Sequence, residues 1–319
     1  MPEVSVIIPV YGVEKYIKKS IESICNQTFS DYEIIIVDDS TPDDSVKIAK
    51  RILTDSGVDY RYFWKENGGL ADARQYGIER ASGKWITFLD SDDVVDPHYI
   101  EVLHSLVTRE RADVGIVSYR TTKELDDYPS MYDETKEPYT LQQNQVLNLF
   151  LTRKFKPILP AFIIKNSFIK DNNIMNAPHC RFSEDDYYMW QLFYALDKVA
   201  VSDMELYNYV QRGSSISHSS KSDNIMTGYN AFINLIGSHP EWANIFDKTE
   251  YIIPRWVLGA LRSTATISKY DVFLSVANRM NYKTCMKQLN GFPEIKAKIL
   301  SKMFLLSPRL FYSVVRLAS

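Results

Sequence analysis

Three carboxylates fall within four residues, at Asp90, Asp92 and Asp93, directly behind the apolar run 85–89. The run Trp-Ile-Thr-Phe-Leu is short, β-branched and aromatic, the composition of a buried strand. Acids at its end leave a sheet at the carboxyl edge, where open α/β sheets bind ligands. Clustered anions repel one another unless a cation sits among them, and burying them without one is costly. Oxygen-rich sites suit Mg²⁺ or Mn²⁺, ions that commonly hold phosphates. Asp90 and Asp92 are two apart on extended chain, share one side of it, and form the expected metal pair, with Ser91 between them. The chemistry this allows is a metal-assisted reaction of a phosphorylated donor, the cation acting as Lewis acid and template for a leaving diphosphate.

Other polar groups follow apolar runs in the same way. Asp38-Asp39 ends the run 32–37, and Asp39 can accept a hydrogen bond from a base or a ribose. An Asx turn or a cap on the next helix competes for the same acids. Tyr11, after the run 4–8, can stack on a flat ring. Asn67-Gly68-Gly69, followed by Arg74, suits a close backbone approach and an anion-pairing guanidinium. Phe182-Ser183-Glu184-Asp185-Asp186 precedes an aromatic-rich helical pattern, whose positive end the acids suit. Asp185, with Glu184 beside it, is also the candidate general base, a role worth about 10²–10⁴ in rate. In the polar stretch 212–218, Arg212 can pair with a diphosphate and His218 can complete a metal shell.

These groups need a scaffold, and the apolar pattern supplies one. Strands are expected at 4–8, 32–37, 58–64, 85–89 and 112–119, alternating with helices that begin near Ile17, at 45–53, at 70–81 with Gly83 as terminator, and at 97–110. Strand–helix alternation of this kind implies a mainly parallel α/β sheet with helices on both faces. The turns after the strands then converge on one edge and build one site from scattered motifs. The polar, aromatic segment 121–138 reads as a loop, 141–151 as a helix, 161–165 as a strand, 184–196 as a helix, and 199–209 as containing a strand. Beyond about residue 220 the period is helical to the end. The expected division is a catalytic domain over 1–218, with a nucleotide half at 1–120 and an acceptor half at 121–218, and a helical C-terminal region over 219–319.

Composition narrows the function classes. A net charge of -3 over 319 residues offers no electrostatic case for a nucleic-acid partner. The cysteines Cys25, Cys180 and Cys285 are far apart and odd in number, so neither a disulfide framework nor a zinc spacing is visible and a reducing compartment is expected. The N-terminus has no basic stretch or cleavage site, and no apolar run reaches spanning length. The expected location is therefore the cytoplasm, with the inner face of the cell membrane within reach. The oligomeric state is left open.

Taken together, residues 4–11, Gln27-Thr28-Phe29, 33–40, Asn67-Gly68-Gly69-Leu70, Ala73-Arg74 and 88–93 resemble a family 2 glycosyltransferase. The likeness is dense over 3–120 and resumes at Glu184-Asp185 and weakly at 212–218. It implies a GT-A fold, a nucleotide-sugar donor (a UDP-sugar above all), a divalent metal (Mn²⁺ or Mg²⁺), inversion at the anomeric carbon, and a glycan or lipid-linked acceptor in polysaccharide assembly. By position it implies that Pro9, Tyr11 and Asp39 hold the nucleoside. Arg74 and the Asn67-Gly68 turn would lie near the donor, Asp90 and Asp92 would form the Asp-x-Asp metal motif, and Asp185 would be the base. Gly12, Ser40-Thr41 and Gln75 depart from the usual Asn, Gly-Ser and Asn at those places, and none of the departures removes a carboxylate.

Two other classes compete. A haloacid-dehalogenase-like phosphatase also places Asp-x-Asp behind an apolar strand, but near the chain start. A catalytically inactive nucleotide-sugar-binding module would keep the fold without turnover, and intact acids at both motifs speak against it. A nicotinamide-dependent enzyme would need Gly-x-Gly-x-x-Gly after the first strand, which is missing. In 292–319, apolar residues mix with Lys296, Lys298, Lys302, Arg309 and Arg316, and no acid follows Glu294. Such a helix either packs on the catalytic domain or lies on an anionic membrane surface.

Overall fold

The computed structural model describes residues 1–122, 129–211 and 222–318. In chain order its first part runs β1 (Val4–Val10), α1 (Ile17–Cys25), β2 (Tyr32–Asp38), α2 (Ser45–Ser56), β3 (Tyr60–Trp64), α3 (Leu70–Ile78), β4 (Trp85–Phe88), β5 (Val94–Val95), α4 (Tyr99–Glu110) and β6 (Val114–Thr122). There follow β7 (Tyr139–Gln142), α5 (Gln143–Leu151), β8 (Phe162–Lys165), α6 (Asn166–Asp171), α7 (Glu184–Ala195) and β9 (Lys198–Val210). The remainder is helical: α8 (Ser222–Ser238), α9 (Trp242–Ile245), α10 (Ile252–Ile267), α11 (Tyr270–Arg279), α12 (Tyr282–Gln288), α13 (Ile295–Leu306) and α14 (Pro308–Leu317).

The nine strands form one sheet in the order β3-β2-β1-β4-β8-β6-β9-β5, with β7 paired to β9. The first four are parallel, as expected. Beyond β4 the sheet is mixed, because β8 enters antiparallel to both β4 and β6. Helices also separate the strands there, and β6 and β9 run parallel, but the residue pattern of a lone strand does not encode its direction. Every residue of β1, β2 and β4 is buried, as in strands covered on both faces. The period of two sorts the side chains. Val4, Val6, Ile8, Ile34 and Ile36 join Ile17, Ile21, Ala49 and Leu53 of α1 and α2 in one core. Ile7 and Val37 face α3 instead, where a side chain on Gly77 would sit 2.4 Å from Ile7.

Helix ends show what local pattern missed. α3 stops at Ile78 and not at residue 81, and Gly83 does not terminate it. Gly83 lies against β1, where an added Cβ would fall 2.6 Å from the Ser5 backbone nitrogen, and its N–H donates to Ser5 Oγ at 2.8 Å. This glycine serves a close backbone approach. β7 takes the four residues on the seam between the expected loop and the expected helix, pairing antiparallel with β9. The rest of that segment, 129–138, is irregular but anchored: Met131 N–H donates to Asp96 Oδ2 at 2.9 Å, and Tyr132 stacks on His98 at 4.2 Å. Residues 123–128 fall outside the described part.

Over the described residues the chain divides into two units. The first comprises Met1–Val146, Lys156–His179 and Tyr188–Arg212, and the second Leu147–Phe155, Cys180–Tyr187 and Gly213–Ser319. The second unit has no strand among its described residues. Its aromatic core has two centres. Trp256 meets Phe232 at 5.3 Å and Phe182 at 5.7 Å, and Phe273 meets Phe304 at 5.6 Å and Phe311 at 6.2 Å.

At the amino edge of the parallel strands, Glu33 is a buried hub. It accepts from Ser5 Oγ (2.7 Å), Ser82 N (2.9 Å), Ser82 Oγ (2.7 Å) and Arg61 Nε (2.8 Å), so one carboxylate joins β1, β2, β3 and the turn after α3. Burial alone would raise its pKa, but these donors outweigh burial and hold it below the usual carboxylate value. A depressed folded pKa means stability that is present above the unfolded pKa and is lost as pH falls through the folded one. Glu33→Gln should therefore cost about 2 kcal/mol at neutral pH, the size of a lost hydrogen bond to a charged group. It should also flatten the acid limb of stability, read as the urea midpoint from pH 7 down to pH 3. An unchanged acid limb would show that the carboxylate charge does not carry the hub.

Candidate active site

Parallel alignment brings the carboxyl ends of β2, β1 and β4 side by side. Backbone hydrogen bonds stitch them there, from Asp39 N to Val10 O at 3.1 Å and from Leu89 N to Ile7 O at 3.0 Å. Pro9 is tolerated inside this central strand because its missing donor lies on the β4 side, past the last β1–β4 pair, Ile7 with Phe88. Tyr11 emerges beyond it and is half exposed. Gly12, with φ +64°, occupies the left-handed region. Asn is the next most tolerant residue there, which accounts for the exchange between the two.

Asp38 and Asp39 divide their labour. Asp38 is structural: its carboxylate accepts from Thr41 N and Tyr62 OH, both at 2.8 Å. Asp39 faces the other way and gathers the glycine turn. It accepts from Gly68 N at 2.9 Å, Gly69 N at 2.8 Å and Lys65 Nζ at 2.7 Å, while Asn67 Nδ2 donates to its backbone oxygen at 3.0 Å. A carboxylate has about four acceptor positions, so these bonds leave it room to accept from one further donor. Both glycines are required locally. A Cβ on Gly68 would lie 2.3 Å from Asp72 Oδ2, and Gly69 has φ +92°. Lys65 was not foreseen. As the residue just past β3 it could be found only once β3 was seen to end beside β2.

Arg74 is fully buried on α3 and donates to Asp90 Oδ1 at 2.7 Å. Asp90 and Asp93 close a turn through Asp93 N to Asp90 O at 2.9 Å, so Asp90, Ser91, Asp92 and Asp93 form a tight bend behind β4. Tyr207 of β9 holds this bend, its hydroxyl accepting from Asp90 N at 3.2 Å and donating to Asp93 Oδ2 at 2.7 Å. The other oxygen of Asp93 accepts from Val210 N at 2.8 Å. Burial, and then the charge of Asp90, push the Asp93 carboxyl well above the usual range. Asp93 is thus a strut between β4 and β9, while Asp90 keeps a fifth of its side chain exposed. Tyr207 is a second residue that sequence alone could not single out, since Tyr209 shares the same short strand end.

Among the described residues no group of three His, Cys, Asp or Glu could hold a metal. Mg²⁺ and Mn²⁺ commonly bind through one or two carboxylates with substrate phosphates and waters completing the shell. Asp90, partly exposed, and the half-buried Asp92 fit such a donor set. His218 and Arg212 fall outside the described residues.

Glu184 and Asp185 occupy the first turn of α7, in the second unit. Ser183, with φ +57°, precedes them, and its carbonyl accepts from Tyr187 N at 3.1 Å. The third acid of the run, Asp186, forms a two-pronged pair with Arg153, at 3.1 and 2.6 Å. Charge attraction from Asp186 outweighs burial and raises the Arg153 pKa. Gln75, the departure noted beside Arg74, accepts from Asn176 N at 3.1 Å and so ties the segment after α6 to α3.

The comparisons with known proteins now bear on this edge. The model of glycosyl transferase family 2 matches residues 5–175, the span that carries the three stitched strand ends. The chain belongs to glycosyl transferase family 2. It is accordingly a glycosyltransferase. Glycosyltransferase GlyG of Streptococcus pneumoniae is 32% identical over 222 residues, 67% of this chain and 72% of that protein. GlyA of the same organism is 30% identical over 229 residues, and the chain spans only 31% of its length. Among solved structures, TarS 1-349 of S. aureus with UDP-GlcNAc superposes with a TM-score of 0.62 at 18% identity, over 98% of this chain and 90% of that one. The mannosyltransferase PcManGT of Pyrobaculum calidifontis, with GDP-Man and Mn²⁺, gives 0.55 at 13% identity, over 99% and 87%. The fold is therefore of the GT-A type, with a helical C-terminal region.

The Arg153–Asp186 pair makes a prediction independent of turnover. Arg153→Ala should lower unfolding stability by about 2 kcal/mol, the size of lost hydrogen bonds to a charged group, at an unchanged denaturant slope. Asp186→Asn should recover part of that loss in the Arg153→Ala background, because it removes the stranded charge. Additive losses in the double variant would show that the two side chains do not act as a pair.

Proposed function

We propose that this glycosyltransferase moves a sugar with inversion from a nucleotide-diphosphate sugar, a UDP-sugar above all, to a hydroxyl of a glycan or lipid-linked acceptor in polysaccharide assembly, at the inner membrane face. The observation that carries the donor half of this reading is the shared carboxyl edge, where Tyr11, Asp39 and Asp90 stand just past adjoining strand ends and Arg74 of α3 pairs with Asp90. TarS was solved with UDP-GlcNAc and PcManGT with GDP-Man, which supports a nucleotide-sugar donor for the fold and leaves the base and the sugar to this chain's own side chains. The domain reading is likewise a nucleotide half over 1–120 and an acceptor half over 121–218, followed by the helical region.

In this reading the nucleoside lies over Pro9 and Tyr11, whose half-exposed ring stacks on the base while the remaining acceptor position of Asp39 takes an N–H from it. Lys65, with Gly68 and Gly69, holds the Asp39 carboxylate in place. Asn67 and Gly68 line the way to the donor, and Ser91 lies in the bend beside it. Arg74 orients Asp90 and adds a positive charge behind the diphosphate, with which Arg212 would also pair. A divalent cation, Mn²⁺ or Mg²⁺, held by Asp90 and Asp92 with His218 as a further ligand, would neutralise the charge developing on the leaving diphosphate. Asp185, with Glu184 beside it, removes the proton of the acceptor hydroxyl as that oxygen attacks the anomeric carbon from the face opposite the diphosphate. Inversion follows from this in-line displacement.

Asp185→Asn should bind the donor like the parent protein and lose transfer by about 10²–10⁴, the range of a positioned general base. Calorimetric donor titration and product formation at equal protein and metal read the two arms, and normal transfer by the variant would remove Asp185 from the role. Chelation of divalent ions should abolish donor binding or turnover, and Mn²⁺ or Mg²⁺ should restore it. Asp92→Asn should raise the metal concentration needed for half-maximal rate, whereas unchanged metal dependence would place the cation elsewhere. A donor panel that produced free phosphate and no nucleoside diphosphate would favour the phosphatase reading instead.

A further inference from the structure

The last two helices of the second unit carry a feature that donor chemistry does not use. α13 buries Ala297, Ser301 and Phe304, and α14 buries Phe311 and Val315. The two buried stripes meet one core: Phe273 lies 5.6 Å from Phe304 and 6.2 Å from Phe311, and Phe304 and Phe311 are 4.7 Å apart. Both helices therefore turn their opposite stripes away from Phe273. On α13 that stripe is Ile295, Ile299, Lys302 and Leu306, spaced by four, three and four residues along one helical face. On α14 it is Arg309, Leu310, Ser313, Arg316 and Leu317.

An outward stripe on a water-facing helix is ordinarily polar. Here it holds large apolar residues at near-full exposure: Ile295 is 72% exposed, Leu306 83% and Leu317 89%. The polar residues between them have one sign. Lys296, Lys298, Lys302, Arg309 and Arg316 fall on these helices, and no Asp or Glu occurs from 295 to 318. The nearest acid in sequence, Glu294, is turned to Arg255 at 3.2 Å and does not neutralise the stripe. Asp271, in the first turn of α11, is the acid on the neighbouring helix of the same core. Apolar side chains flanked by cations, with no anion among them, match a surface that is apolar in depth and negative at its rim. A bilayer with acidic headgroups has that profile. A protein partner would have to offer an apolar groove bordered by acids on both sides. Neither α13 nor α14 is long and apolar enough to cross a membrane, as holds for every helix among the described residues, so the contact is one of lying on the surface.

We infer that the outward face of α13 and α14 docks on an anionic lipid bilayer, inserting Ile299, Leu306 and Leu317 between headgroups that Lys296, Lys302 and Arg309 pair with. The inference deepens the reading of a lipid-linked acceptor. A surface-bound enzyme meets such an acceptor in two dimensions, which raises its effective concentration.

The test uses the full chain and vesicles of phosphatidylcholine with or without phosphatidylglycerol, read by co-sedimentation without donor. The parent protein should bind only the anionic vesicles, and binding should fall as salt is raised. Lys296→Gln with Lys302→Gln should weaken binding by about 30-fold, the sum of two basic contacts to an anionic surface. Ile299→Ser, Leu306→Ser and Leu317→Ser together should abolish it even at low salt. All three side chains point off the core, so the thermal midpoint and nucleotide-sugar binding in solution should not change, and a shifted midpoint would move the test to Leu306→Ser and Leu317→Ser alone. Equal binding by parent and triple variant would overturn the inference. So would absent binding to anionic vesicles, or a parent dimer that the triple variant converts to monomer, since that would give the face to a second copy. Because sedimentation needs no turnover, a negative result there leaves the donor assay free to succeed, and the reverse also holds.

Discussion

A carboxylate removed from water must be surrounded by donors or cations, and that demand organises the catalytic half of this protein. Glu33, Asp38, Asp39, Asp93 and Asp96 are all buried, and an uncompensated charge in such places would be prohibitive. Each accepts hydrogen bonds from a different element and so works as a cross-link; at Asp93, where burial outweighs the donors, the carboxyl pKa is pushed up instead. Glu33 joins three strands at the amino edge. Asp39 draws the glycine turn against β2. Asp93 ties the bend behind β4 to Tyr207 and Val210 of β9. Asp96 holds the start of α4 through His98 N and reaches Met131 N in the segment before β7. Of the three acids that look like one cluster behind β4, Asp93 is such a fastener.

The consequence for chemistry is selectivity among carboxylates. The acids left with exposed oxygen or spare acceptor positions are the ones available to a ligand, and they are few. Asp39 has three of about four positions in use. Asp90 is held on one oxygen by Arg74 and keeps part of its side chain in solvent. Asp38 and Asp93 are occupied on both oxygens. A pre-set arrangement of this kind spends no binding energy on orienting side chains when the ligand arrives, because the fold has already fixed them.

The alternation of strands and helices over the first 120 residues was legible because buried parallel strands are short apolar runs and the helices between them have a period near 3.6. The acid turns after β2 and β4 were legible for the same reason, since polar residues that end an apolar run mark the strand's exit. Lys65 and Tyr207 were not legible. Each acts through a neighbour brought close by strand pairing, β3 beside β2 and β9 folded back toward the bend, and nothing in a residue's own surroundings along the chain records such a pairing. Gly83 misled for a related reason. A glycine a few residues past a helix reads as a terminator, but its role is to let the turn come close to Ser5.

By itself the sequence determined the family, the parallel half of the sheet and the set of acids from which the site is drawn. Those follow from local composition and spacing, which are written along the chain. Tertiary structure alone decided which acids are fasteners and which remain available, that β8 enters the sheet antiparallel, and that the apolar and basic residues of α13 and α14 separate into an inward and an outward stripe. Each of these depends on what stands across from a residue in space. Donor count, strand direction and solvent exposure are properties of pairs and surfaces, and they come into being only when distant segments meet.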